Sequence, residues 1–359
     1  MRITGNKGEW SEIYAFLRLL ADGKLFSADE NLSRIENMFF PIIKIIREEI
    51  TGVLYEYRLN NRNATIMIYF NDEQIMCLPA KSFENEANQL LDKINYDKTR
   101  TGAFEIAQTE KFIRNIHVNK LKASSANKSD INIQLHDVNT GFENIVGFSI
   151  KSELGSPPTL LNAGQTTNFV YKVKGLKLRY IDEINGIDTR TKLKDRMKAI
   201  SDFGGQLVFS NMENSMFNEN LIMIDSQMPA IVSEMLAGFY SGIASDCIGL
   251  TKHVSDKNPL SRSIKFYRYK VKEMLCAIAL GMKPATEWDG TDEASGGYII
   301  VKTNGDVLAY HIYNRDAFRD YLLTNTKFEK ASTTKHNYGV LYEHDSEVYI
   351  KLNLQIRFV

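Results

Sequence analysis

Asp130, Ser149 and Lys151 are the residues of this chain whose types and spacing could do chemistry together. They sit in the stretch 128–162, KSDINIQLHDVNTGFENIVGFSIKSELGSPPTLLN, where 130–136 alternates polar with apolar residues and 145–151 is apolar-rich, the pattern of two short strands. Thr140 and Gly141 between them read as a two-residue turn. In that hairpin Asp130 lies across from Lys151, and Asn132 lies across from Ser149. Directly opposed side chains share a face with Cβ atoms ~5 Å apart. A carboxylate, an ammonium and a small hydroxyl therefore converge at the open end of the hairpin. Carboxylate oxygens suit Mg²⁺, and a lysine beside them can stabilise a charged phosphorane or orient an attacking water. Asp137 is the rival carboxylate, but it faces the other way and lies ~20 Å nearer the loop. His136 shares the face of Asp130 at the loop end, where no role is expected of it. His117, His253, His311, His336 and His344 show no metal-ligand spacing.

The elements that must hold this hairpin are legible in outline. With 359 residues the chain has room for two domains or one large decorated one. A division into 1–185 and 186–359 is weakly marked at EINGIDTRT. Hydrophobic residues make up 43%, and Gly and Pro number only 22 and 7, which argues against disorder and long flexible linkers. Three cysteines far apart, Cys77, Cys247 and Cys276, build neither a disulfide framework nor a CxxC zinc site, as expected of a cytoplasmic protein. No uncharged apolar run approaches the ~18–20 residues of a membrane span. NKGEWSEIYAFLRLL predicts a helix with Asn6 as N-cap, Glu9 completing a capping box, and Ile13, Phe16, Leu17 and Leu20 as its apolar stripe. Short strands are expected within 38–78, a helix over 82–94, mostly helix over 189–282, and strands again at the end, with Asn304-Gly305 as a two-residue hairpin turn.

Lys plus Arg and Asp plus Glu both number 44, so bulk charge decides nothing. The local pattern does more: 111–128, 189–198 and 257–272 are basic runs with at most one acid each. Arg262, Lys265, Arg268 and Lys272 recur at three- and four-residue steps, making a cationic stripe if helical. A groove that contacts phosphates explains three such runs better than three unrelated solvated faces.

An aspartate at the start of one strand and a short-residue-x-Lys on the next resembles the PD-(D/E)xK nuclease signature. The blocks GNKGEWSEIYAFLRLLADGKL (5–25), GFSIKSELGSPPTLLNAGQTTNF (147–169) and HNYGVLYEHDSEVYIKLNLQIRF (336–358) are similar to type II restriction endonucleases of the HpaII family, across essentially the whole chain. The resemblance implies an α+β fold: a mixed sheet flanked by helices, with added helical and β-hairpin recognition elements. It also implies Mg²⁺-dependent hydrolysis of double-stranded DNA, recognition of CCGG, a functional link to a cytosine methyltransferase, and a homodimer or a monomer that wraps the site. The alternatives are a nicking or repair nuclease of the same core, or a DNA-binding module that has lost cleavage.

Ser149 departs from the pattern, because most such nucleases place Asp or Glu there and a serine is a poor Mg²⁺ ligand. Asp130 and the Ile150 carbonyl then need a second carboxylate. Glu153 has the strand parity of Ser149 and Lys151. Glu9 lies within ~20° of the buried stripe of the first helix, and Glu12 is a further option about 60° off it. For DNA, Lys128 and Ser129 are placed to touch a phosphate. Asn162, Gln165, Thr166, Thr167 and Asn168 offer amides and hydroxyls, while Arg262, Lys265, Arg268, Lys272 and Arg357 suit guanine or phosphate.

Overall fold

The computed structural model describes all residues except 1, 30, 98–101, 123–128, 139 and 312–313. It divides into two compact units: residues 1–158 with 292–318, and 159–291 with 319–359. The expected cut near 185 falls inside the second unit. Residues 292–318 return to the first because their strand Gly297–Val301 pairs in parallel with Glu143–Ser152, a long-range crossover that leaves no local mark in sequence.

The first unit is built on a nine-stranded mixed sheet. In chain order the strands are β1 (Lys24–Ala28), β2 (Arg34–Ile50), β3 (Val53–Asn60), β4 (Thr65–Phe70), β5 (Glu73–Pro79), β6 (Ile131–His136), β7 (Glu143–Ser152), β8 (Gly297–Val301) and β9 (Val307–His311). Their order across the sheet is β1-β9-β8-β7-β6-β2-β3-β4-β5. The long β2 changes partner at Pro41. Its first half pairs with β1 and its second half with β6 and β3.

Helix α1 (Lys7–Asp22) packs on this sheet. Asn6 and Glu9 close the expected capping box, worth about 1 kcal/mol, and Gly23 ends the helix at φ 64°, a left-handed position that glycine adopts without strain. Trp10, Ile13, Tyr14, Phe16, Leu17 and Leu20 are fully buried, with Phe16 edge-on to Tyr57 of β3. Each such side chain contributes about 1.5–3 kcal/mol by leaving water. The Tyr14 hydroxyl also donates to the carbonyl of Gly305, tying the helix to the β8–β9 turn. That turn is longer than the two residues expected: Lys302 N–H bonds to Asp306, and Gly305 takes φ 91°.

The β6–β7 hairpin is also closed differently. Asp137 N–H bonds to the Phe142 carbonyl, and Gly141 N–H returns to Asp137, so the loop has two more residues than a Thr140-Gly141 turn allows. Ile131 therefore faces Phe148, and Asn132 faces Gly147. The register differs by two from the one expected, and Asp130 lies beside Ser149, not Lys151. An even slip keeps every side chain on its face, so the convergence survives it.

The second unit has an antiparallel sheet in the order Gln206–Met212, Asn168–Lys174, Glu347–Asn353, Leu341–His344, and a three-stranded sheet of Thr159–Leu161, Ile356–Phe358 and Thr326–Phe328. Its helices surround Met228–Ser241, whose Ile231, Val232, Met235, Leu236 and Tyr240 are buried. No helix among the described residues is long and apolar enough to cross a membrane.

Candidate active site

Asp130 caps the open end of the β6–β7 hairpin. Among the described residues no strand pairs with β7 beyond Phe148 on its β6 side, and the side chain of Asp130 takes up that edge. Its Oδ2 accepts the Ile150 N–H at 2.7 Å and the Ser149 hydroxyl at 3.0 Å. Lys151 Nζ donates to the same serine oxygen at 3.0 Å and lies 5.1 Å from the ring centre of Tyr298 on β8. Ser149, 3% exposed, thus bridges the aspartate to the lysine.

Glu12 on α1 completes the group. It lines a pocket of about 350 Å³ with Lys7, Gly8, Ile150, Lys151 and Ser152, and its Oε2 is buried with no hydrogen-bond partner among the described residues. Burial, followed by the charge of Asp130, raises its pKa from 4.5 to about 8, against the opposing pull of Lys122, Arg47 and Lys151. Burial also lowers the pKa of Lys151, which Asp130 and Glu12 partly offset. Neighbouring Ser152 on β7 bonds to Ser11 at 2.8 Å, which fixes α1 against the strand one residue from each functional group.

The other two acids fall elsewhere. Glu9 spends its carboxylate on its own helix, accepting the Asn6 N–H at 2.8 Å. Glu153 follows the end of β7, its N–H still bonded to the Val301 carbonyl, and its side chain is exposed. Asp137 accepts from Thr140 within the hairpin loop, and His136 faces Glu143 at 3.4 Å. Among the described residues no three His, Cys, Asp or Glu side chains cluster as metal ligands. The acidic set is the pair Asp130 and Glu12. Its free buried oxygen fits a hard divalent cation, which prefers carboxylate and carbonyl oxygens.

Comparison with known proteins finds similarity along nearly the whole chain. A family model described as HpaII restriction endonuclease matches residues 6–358. The chain belongs to the HpaII restriction endonuclease family. It is also 40% identical to the type II restriction enzyme HpaII of Haemophilus parainfluenzae, with 99% of each chain covered. No solved structure is significantly similar to it. As a member of this family the protein is a site-specific deoxyribonuclease, with DNA as its partner.

The residues expected to touch DNA in this HpaII-family enzyme meet different fates. Asn168 and Thr167 are fully buried. The Asn168 amide donates to Glu213 at 2.7 Å and to the His336 carbonyl at 2.9 Å, and its oxygen accepts from Asn353, which leaves no edge to offer a base. Asn162 and Gln165 are exposed, and Thr166 is half-buried. Arg262 precedes the helix Ile264–Leu280 and so is not part of a helical stripe. Lys265 on that helix is exposed, but Arg268 pairs with Asp320 at 3.1 Å and Lys272 reaches the same carboxylate. Arg357 pairs with Glu329 at 3.0 Å. Lys128 lies outside the described residues.

Proposed function

We propose that this enzyme is a Mg²⁺-dependent endonuclease that cuts double-stranded DNA at CCGG, on a PD-(D/E)xK core whose second acid is Glu12. The observation that carries the reading is the unpartnered, buried oxygen of Glu12 beside Asp130 and Lys151. A carboxyl group so placed is unfavourable in the free chain and favourable once a cation accepts it. Asp130 and Glu12 are the acidic ligands. The Ile150 carbonyl joins them, since it lies on the same strand edge as the N–H bonded to Asp130.

When bound, Mg²⁺ offsets the charge that builds on the phosphate oxygens and lowers the pKa of a bound water. The chain's own groups do the rest. Ile150 and Ser149 both bond Oδ2 of Asp130, which fixes the orientation of that carboxylate. Lys151 orients the attacking water and faces the scissile phosphate. Ser149 stands where most PD-(D/E)xK nucleases carry an acid and couples the lysine to the aspartate, so that the two move as one unit.

The family resemblance supports CCGG as the target. A palindrome presents the same edges on both strands, so a two-fold homodimer with one site per subunit is the economical assembly. Host sites then need protection by a cognate cytosine methyltransferase in the same cytoplasm. Digestion of a plasmid with and without Mg²⁺, followed by sequencing of the fragment ends, tests the target and the metal requirement together. Fixed ends within CCGG that require Mg²⁺ are expected. A mobility shift with no cutting would mean a binding protein, and ends scattered over unrelated sequences would refute the assigned target.

A further inference from the structure

We propose that Lys122 contacts a DNA phosphate beside the scissile one, and that a buried Arg47–Glu49 pair is the clamp that positions it. The proposal rests on reading Asp130, Glu12 and Lys151 as the cleavage site.

Arg47 and Glu49 stand two residues apart on β2 with side chains only 6% and 2% exposed, joined at 2.7 Å. Burying two charges is costly, and an apolar pair of similar volume would stabilise the sheet at least as well. Their remaining bonds show what the pair does. Arg47 Nη2 donates to the carbonyls of Lys120 at 2.5 Å and Leu121 at 3.1 Å, while Glu49 Oε2 accepts the Asn119 N–H at 2.7 Å. The pair thus grips the main chain of 119–121, a segment with no regular secondary structure to fix it. The guanidinium also lies 5.6 Å from the ring centre of Phe16 on α1, so the grip is referred to the helix that carries Glu12.

A second contact sets the same segment against the start of α1. Leu121 is buried, and a Cβ at Gly5 would lie 2.3 Å from its Cδ1. A larger residue at position 5 would have to push that leucine side chain aside. Lys122 follows at once. It is exposed, it makes no ion pair among the described residues, and its charge is felt by both Glu12 and Lys151. Asp130 and Glu12 already face Lys151, whereas the exposed Lys122 ammonium remains open to an anion from outside the protein. In a deoxyribonuclease the available anion is the phosphodiester backbone.

Lys122→Ala should slow single-turnover cleavage at saturating enzyme roughly 10- to 100-fold, as expected when a charge-assisted bond is removed, while Lys122→Arg restores most of the rate. The decisive readout is a series of duplexes carrying one neutral methylphosphonate at each position around the cut. One position should slow the wild type by a similar factor and leave Lys122→Ala no slower than it already is. Arg47→Lys should slow cleavage by no more than Lys122→Ala does and add little to Lys122→Ala. Full activity in Lys122→Ala, or additive losses at every phosphate, would overturn the proposal. Full activity in an Asp130→Asn control would instead overturn the site on which it rests.

Discussion

The acidic corner between α1 and β7 and the basic helix Ile264–Leu280 both look functional in sequence, yet the structure treats them differently. On the helix, Arg268 and Lys272 converge on Asp320, and Lys270 pairs with Asp225 at 2.6 Å. These charges are largely answered within the protein. In the corner, Glu12 keeps a buried oxygen with no hydrogen-bond partner among the described residues. Exposed charges collect counter-charges at little cost, so a basic run by itself says little about a ligand. A buried acid left unpaired is costly, and a fold retains one where a ligand completes it.

The largest effects expected from this contrast are in the corner. Asp130→Asn and Lys151→Ala should each reduce cleavage by several orders of magnitude while DNA binding persists, because positioning and electrostatics supply most of the rate in phosphoryl transfer. Ser149→Ala, which removes only the bridge between them, should cost roughly tenfold. Single-turnover assays beside mobility shifts separate the two outcomes. Loss of binding in step with cleavage would show that these residues hold DNA and do no chemistry.

The basic helix should respond more weakly and unevenly. Replacing the exposed Arg262 and Lys265 by alanine should flatten the plot of log affinity against log salt by about 0.9 for each phosphate no longer neutralised. Replacing Arg268 and Lys272 should change the slope less, because Asp320 already neutralises them. Equal changes from both pairs would erase the distinction between answered and unanswered charge.

The smallest effect is on stability. Glu12 titrates near 8 in the folded chain against 4.5 ordinarily. Between those values the folded chain holds a proton that the unfolded chain has released, so stability falls as pH rises from about 4.5 and levels off above about 8. Glu12→Gln removes that penalty. Without metal its melting temperature should match the wild type near pH 4 and exceed it by roughly a few degrees near pH 8.5. An unchanged difference across that range would place the penalty on another group.

Much of the corner was legible from residue types. Asp130, Ser149 and Lys151 share a face because strand periodicity is two, and that holds under the two-residue slip caused by the Asp137–Phe142 loop closure. The capping box and apolar stripe of α1 also follow from local chemistry. Glu12 was harder to find. Helical direction says which side of α1 is buried, but not which turn of it meets the end of β7, and that depends on the Ser11–Ser152 contact between residues 141 apart in sequence. Asn168 failed for a similar reason: its polarity suited a base, but three long-range partners claim it. The return of 292–318 to the first unit carries no local signal at all.

That Glu12 supplies the acid Ser149 does not is tested most directly by the Mg²⁺ dependence of single-turnover cleavage in Glu12→Gln, Glu9→Gln and Glu153→Gln, measured side by side. Glu12→Gln should lose roughly a thousandfold or more at every Mg²⁺ concentration, while the other two stay close to the wild type. Wild-type cleavage by Glu12→Gln at saturating Mg²⁺, or an equal loss in Glu9→Gln or Glu153→Gln alone, would contradict it.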